Sequence, residues 1–312
     1  MLCLWRNAIR LMTIPSVLLP DDQAYDMKAF ITGSSRGQLH WELQRTLPEG
    51  VEWLELPERL DITDRIAVMD AMAQLKPDII INAAAYTAVD KAESEPDQAM
   101  AVNAHAVQIL AEAATAIEAH LIHVSTDFVF GASDGSPFVE DSVVAPVSVY
   151  GKTKLAGEQI LSKLMPETAL CVRTAWVYSS HGNNFVKTML RLMNERGAVG
   201  VIADQVGSPT WARALAEALW RAAALRSAGT MHWTGAGVAS WYDFAVAIHE
   251  EARVLGLIDR EVVVNPLTTE QYPTPAARPH YSVLELTQTW QSLDHPARHW
   301  RDDLRSMLKE LT

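Results

Sequence analysis

From Lys28 onward, short apolar runs alternate with stretches of helical periodicity. KAFIT (28–32), VEWLEL (51–56), DIIINA (78–83), HLIHVS (120–125) and ALCVRT (169–174) read as buried strands. Between them lie a helix opening near Gln38, one through Ile66–Leu75, and one with Met100, Val107, Leu110, Ala114 and Ile117 along one apolar stripe. A fourth runs over Tyr150–Leu161. This alternation predicts an α/β chain built on a doubly wound parallel sheet of the Rossmann type. Asn103 falls on the apolar stripe of the third helix. A polar side chain on a buried face needs partners, so Asn103 either ties backbone groups together near a site or is a satisfied core amide.

Beyond Trp176 the alternation becomes irregular, with helices predicted over 184–194, 212–224, 241–255 and 297–311 and a strand near 199–202. The Thr- and Pro-rich stretch Pro266–Pro279 reads as a loop. We expect a dinucleotide-binding domain over 27–177, joined by a returning segment near 211–230. A smaller C-terminal substrate-binding lobe takes 178–210 and 231–312, which leaves a cleft between the two. Residues 1–26 start basic and apolar, but Arg6 and Arg10 interrupt the run and no small-residue cleavage site follows cleanly. A disordered extension, or a start read too early, is expected there, with Met27 opening directly into a strand.

Apolar residues make up 49% of the chain and charged residues 21%, the profile of a globular protein rather than a disordered one. The net charge of -12 excludes nucleic-acid binding by phosphate neutralisation, so a bound phosphate must be met by local groups. The two cysteines, Cys3 and Cys171, read as reduced thiols without metal-ligand spacing. No apolar run reaches transmembrane length, and a cytoplasmic location without a membrane partner is expected.

Three groups carry candidate chemistry. In ITGSSRGQLH (31–40) a strand enters a glycine turn at Gly33 and Gly37 and leaves as a helix, a seat for a pyrophosphate. In VYGKTKLAGE, Tyr150 and Lys154 stand four apart on one helical face, and an ammonium near a phenol favours the phenolate. Tyr150 can then give a proton to a developing alkoxide. Thr126, at the end of the fourth strand, is placed to hydrogen-bond a substrate carbonyl, with structural capping as its other reading.

Taken with NAAAYTAVDKAESEP (82–96), STDFVF (125–130), RTAWVY (173–178), NNFVKTML (183–190), DQVGSPT (204–210) and YPTPAARP (272–279), these residues resemble the extended short-chain dehydrogenase/reductase superfamily. The similarity is greater to its dTDP-4-dehydrorhamnose reductase branch. The resemblance implies reduction of the 4-keto group of a dTDP-linked 6-deoxy sugar to give dTDP-L-rhamnose, with hydride from NADPH or NADH. It implies Tyr150 as proton donor, Lys154 as the group that orients the nicotinamide ribose and lowers the Tyr150 pKa, and Thr126 as the holder of the keto oxygen. Cofactor contacts carried over are Gly33, Gly37, Gln38 and Leu39, Asp61 and Ile62 near the adenine, and Ala85, Tyr86 and Thr87. Asp127 and Trp176 match positions that meet the sugar, and Arg278 matches a clamp on the anionic substrate.

The chain departs from the family turn, G-x-x-G-x-x-G, by one extra residue between Gly33 and Gly37 and by His40 in place of the last glycine. A side chain at 40 is expected to push the helix from the strand or crowd the pyrophosphate. At the adenosine ribose the family's acidic residue is replaced by Leu56, with Glu58 and Arg59 close behind, which leaves NADPH against NADH open. Some family members bind Mg2+ between the subunits of a homodimer. Glu42 matches one ligand, but no acidic pair completes the site near Glu195. Two other readings stay open: a non-catalytic NADP-binding regulatory subunit of the same fold, and another nucleotide-sugar epimerase, dehydratase or reductase.

Overall fold

A computed structural model of the chain describes residues 26–131 and 133–312, so the extension expected over 1–26 lies, but for Asp26, outside the described residues. Strand β1 (Met27–Ile31) leads through the glycine turn into α1 (Gln38–Arg45), followed by β2 (Val51–Leu54), α2 (Arg65–Leu75) and β3 (Ile79–Asn82). The α2 helix starts where the Asp64 carboxylate accepts from the Ala67 amide, and stops where Lys76 turns left-handed. After β3, the single striped helix of the sequence reading is replaced by α3 (Val89–Ala92), α4 (Pro96–Met100), a π turn over 101–105 and α5 (Ala106–Ala116). The π turn keeps Asn103 buried, in the middle of the face that the stripe predicted. Next come β4 (His120–Thr126), α6 (Val149–Leu164) and β5 (Ala169–Thr174).

The remaining elements are β6 (Val177–Tyr178), α7 (Phe185–Glu195), β7 (Ala198–Ile202), β8 (Val206–Gly207), β9 (Thr210–Trp211), α8 (Ala212–Ala224), β10 (Gly229–His232), β11 (Ala239–Ser240), α9 (Trp241–Val254), β12 (Val263–Leu267), α10 (Thr287–Leu293) and α11 (Trp300–Lys309). Two expectations are corrected here. The Pro-rich stretch begins inside a strand, because Pro266 sits in β12, which among the described residues pairs with β7 alone, where a missing donor is tolerated. The last helix starts at Trp300, three residues later than expected, because the His299 ring accepts from the Arg301 amide and caps it.

The main sheet has the order β10-β5-β4-β3-β1-β2 and is parallel throughout. Side chains alternate between its faces, so Ile79 and Ile81 join Ala29, Ile122 and Leu170 beneath α8, whereas Ile80 joins Phe30 and Leu121 beneath α2 and α5. With all three isoleucines fully buried, each contributes about 1.5–3 kcal/mol. A separate core gathers Val186, Met189 and Met193 of α7, Phe244 and Ile248 of α9, and Leu304 and Met307 of α11. Since β1 lies between β2 and β3, the winding direction reverses there and leaves a crevice at the carboxyl ends of β1 and β3.

Candidate active site

A cleft of about 980 Å³ opens at that crevice. Gly33 holds a φ of 106°, which side chains disfavour, and a Cβ on Gly37 would stand 3.1 Å from the Ser34 carbonyl. No side chain caps α1 and no acidic residue sits in its first turn, so its amides and positive dipole end suit an anion. His40 does not wedge the helix away: its ring packs edge-on against Trp53 at 5.4 Å, and its Nδ1 lies 3.5 Å from the Thr32 carbonyl. The cleft is lined by Gly33, Gly37, Gln38 and Leu39, by Asp61 and Ile62, and by Ala85 and Thr87. Tyr86 is placed otherwise. It is outside the lining, its hydroxyl donates to Glu95 at 2.7 Å, and its backbone N–H and C=O are held by the Asn103 amide at 2.8 and 3.1 Å. Asn103 also donates to the Thr153 hydroxyl at 3.0 Å, so it ties the loop after β3 to α6.

At the other end of the cleft stand Thr126, Asp127, Tyr150 and Lys154. Ser148 caps α6 by accepting from the Gly151 amide, and Tyr150 and Lys154 follow one turn apart. Burial pushes the Tyr150 phenol up to about 12, the nearby Asp127 charge adding to the rise and the Thr126 hydroxyl opposing it. Burial also pulls the Lys154 ammonium down to about 8. The expected lowering of the phenol by the lysine is therefore not what this arrangement gives. The lysine Nζ donates to the Val124 carbonyl at 2.7 Å and lies 3.2 Å from His123 Nε2, and desolvation dominates at the phenol.

Thr126 is both cap and site residue: its hydroxyl accepts from the Phe128 amide at 3.2 Å and donates to Asp127 Oδ1 at 3.0 Å. Asp127 is buried, its Oδ2 has no hydrogen-bond partner among the described residues, and burial raises its carboxyl to about 6 against the pull of neighbouring hydroxyls.

Trp176, at a φ of 48°, lies flat on Trp241 with ring centres 3.6 Å apart, and both indoles line the cleft. They are shared with an adjoining cavity of about 430 Å³. Arg278 also borders both cavities, but its guanidinium already forms a two-point bond to Asp90, each contact 2.9 Å, which holds Asp90 below the usual carboxylate range. Glu42 lies outside the lining of both cavities. It is buried in α1, bonded to the Ser179 hydroxyl and 3.4 Å from Arg45, and burial raises its carboxyl. Among the described residues no group of three or more His, Cys, Asp or Glu side chains is placed to hold a metal ion.

Sequence reasoning passed over Arg36, Asn183 and Trp241 in the lining, and His123 and Asn82 behind Lys154. Arg36 had a signal, a cation directly before a turn glycine. Asn183 stood in the quoted segment NNFVKTML without being given a role, because its approach to the cleft depends on how the chain after β6 folds back.

A family model described as RmlD substrate binding domain matches residues 27–312. A dTDP-4-dehydrorhamnose reductase of Escherichia coli (strain K12) is 42% identical over 285 residues, covering 88% of this chain and 95% of the relative. The crystal structure of a dTDP-4-dehydrorhamnose reductase from Clostridium acetobutylicum superposes with a TM-score of 0.84 at 41% identity, covering 91% of this chain and 99% of that one. A dTDP-4-dehydrorhamnose reductase from Bacillus anthracis, solved in complex with NADP, also gives 0.84, at 35% identity over 92% of this chain and 100% of its own.

Proposed function

This chain belongs to the RmlD substrate binding domain family, and from that premise we propose that it reduces dTDP-4-dehydrorhamnose to dTDP-L-rhamnose with a nicotinamide cofactor. The observation that carries the reading is that Thr126, Tyr150 and Lys154 line the same cleft as the glycine turn. The capless α1 terminus and the Gly33–Gly37 turn fit a pyrophosphate, and a bound nicotinamide would supply the hydride.

The chain's own residues do the rest. The Thr126 hydroxyl orients the keto oxygen once its single proton turns from Asp127 Oδ1 to the substrate. Tyr150, with a phenol near 12, keeps its proton throughout the neutral range and gives it to the stronger base, the alkoxide that forms. Lys154 is the buried donor at the reacting end that would orient the nicotinamide ribose, and Trp176 offers a flat indole to the sugar ring. The net charge of -12 repels an anionic ligand, so Arg36, Arg59 and Lys154 in the lining provide the attraction locally. Arg36 and Arg59 favour NADPH, since a 2'-phosphate gives them a partner that NADH lacks. No described helix is long and apolar enough to cross a membrane, and the substrate is water-soluble, in keeping with work in the cytoplasm.

The test is to incubate the folded protein with the keto sugar generated in place and to follow NADPH absorbance. Absence of oxidation with both NADPH and NADH discards the reading. Tyr150→Phe should lower kcat by about 10²-fold or more while cofactor binding is kept. Arg59→Ala should raise the KM for NADPH by about tenfold and leave that for NADH in place, one charge-assisted contact being lost.

A further inference from the structure

A buried polar chain runs from the end of β1 to Lys154 of α6, and its other members, Thr32, Asn82 and His123, take no part in the chemistry described so far. The Thr32 hydroxyl meets Asn82 Oδ1 at 2.6 Å, Asn82 Nδ2 meets His123 Nδ1 at 3.0 Å, and His123 Nε2 meets Lys154 Nζ at 3.2 Å. All four residues are buried, and the Ala84 amide closes the far end by donating to Thr32 Oγ1 at 3.2 Å. The chain therefore links the residues that frame the cofactor turn to the lysine at the reacting end.

A charged Lys154 allows this chain one complete proton arrangement, and a neutral Lys154, which can accept at its lone pair, makes a second one available. An ammonium has donors alone, so with Lys154 charged His123 Nε2 accepts, Nδ1 carries the ring proton, and Asn82 must present its oxygen to it. The amide nitrogen then donates to Thr32 Oγ1. With Lys154 neutral the order reverses: Nε2–H donates to the amine, Nδ1 accepts from Asn82 Nδ2, and Thr32 donates to Asn82 Oδ1. Burial together with the Lys154 charge disfavours a charged imidazole, keeping this ring's pKa well below its ordinary value. The lysine is also faced by the buried Glu158 and Cys171, both of which favour its charged form, while its own burial opposes it.

We propose that His123 is a positioning residue that ties the charge of Lys154 to the orientation of the Asn82 amide, through exchange of the proton between its two ring nitrogens. The lysine can then gain or lose charge without leaving a buried donor or acceptor unpaired, a mismatch that would otherwise hold it in one state. The inference rests on the proposed reductase reading only for its effect on turnover.

Nitrogen NMR of histidine-labelled protein tests it without substrate, the His123 signals being those lost in His123→Gln. From about pH 6 to about pH 9 the ring should stay neutral, and its proton should pass from Nδ1 to Nε2 as Lys154 titrates. In Lys154→Met this exchange should vanish. A ring that keeps one tautomer across the range, becomes charged within it, or exchanges unchanged in Lys154→Met overturns the proposal. In turnover, His123→Phe should lower kcat by about 10²-fold and displace the pH profile, with the KM for the sugar held, whereas His123→Gln should recover to within about tenfold. Equal losses in both variants with an unmoved profile would reduce His123 to a packing residue. If His123→Phe fails to fold, the NMR of the native protein decides. If the native protein reduces no keto sugar, the reductase reading falls while the NMR result still stands or fails by itself.

Discussion

Asp127 illustrates how much the site costs the fold. Its carboxyl rises from 3.8 to about 6 because burial strips it of water, so the folded chain holds a proton that the unfolded chain has already released. The stabilisation linked to that proton is present below the unfolded value and is lost as pH rises through the folded one, at a cost of about 3 kcal/mol near neutrality. Asp127→Asn keeps an acceptor for Thr126 and removes the charge. It should therefore raise stability by about 1–3 kcal/mol near neutral pH, with the gain shrinking below about pH 4, and should lower activity at the same time. Denaturant titrations at the two pH values check this, and an Asn variant no more stable at neutral pH would show that the carboxylate is solvated.

Among the elements, α6 is held by close backbone approach at two glycines. A Cβ on Gly151 would stand 2.2 Å from the Phe128 carbonyl, and one on Gly157 would stand 2.2 Å from the Asn103 carbonyl in the π turn. In an open helix a Gly→Ala change stabilises by about 1 kcal/mol; here Gly157→Ala should cost about 1–3 kcal/mol and slow turnover by shifting Tyr150. Thermal denaturation that finds the variant as stable as the parent would deny the tight seat. The same region marks where the sequence stopped being legible. Strand and helix alternation was readable, as was α8, because apolar periodicity and the turn residues agree there. The π turn was not, because its extra residue leaves the apolar spacing of Val107, Leu110 and Ala114 nearly intact and is stabilised by contacts distant in sequence. Asn103 gave the only hint, a polar residue on a buried stripe. At the site, Thr126, Tyr150 and the glycine turn were visible as motifs, whereas the bond from Lys154 to His123 depends on β4 lying beside α6, and the Arg278–Asp90 pair joins residues 188 apart in the chain.

At the scale of the whole molecule, the chain visits the central sheet and the core built by α7, α9 and α11 alternately. It leaves the sheet after β5, builds β6 to β9, returns to place α8 and β10 against the sheet, leaves again for α9 and β12, comes back with α10 beside α8 and β10, and ends in α11. Contacts also cross between the parts: Asn184 donates to Gln38 at 2.9 Å, and the His181 ring meets the Ser35 carbonyl at 3.0 Å. Neither part can be cut out as one continuous segment, so calorimetry should record one cooperative transition, shifted by about 2.7 kcal/mol when NADPH is present at a hundred times its Kd. Two resolved transitions, only one of them moved by the cofactor, would mean that the parts fold separately.

The position of β10 has a further consequence during synthesis. Strand β5 is buried along its whole length, yet its outer neighbour is supplied only by residues 229–232. Until that stretch has left the ribosome, the nascent protein carries an apolar strand with open amides and carbonyls on one side, a template for pairing with another copy. Messages truncated between the codons for Thr174 and Gly229 should therefore yield insoluble products, whereas those that extend past the codon for His232 should not.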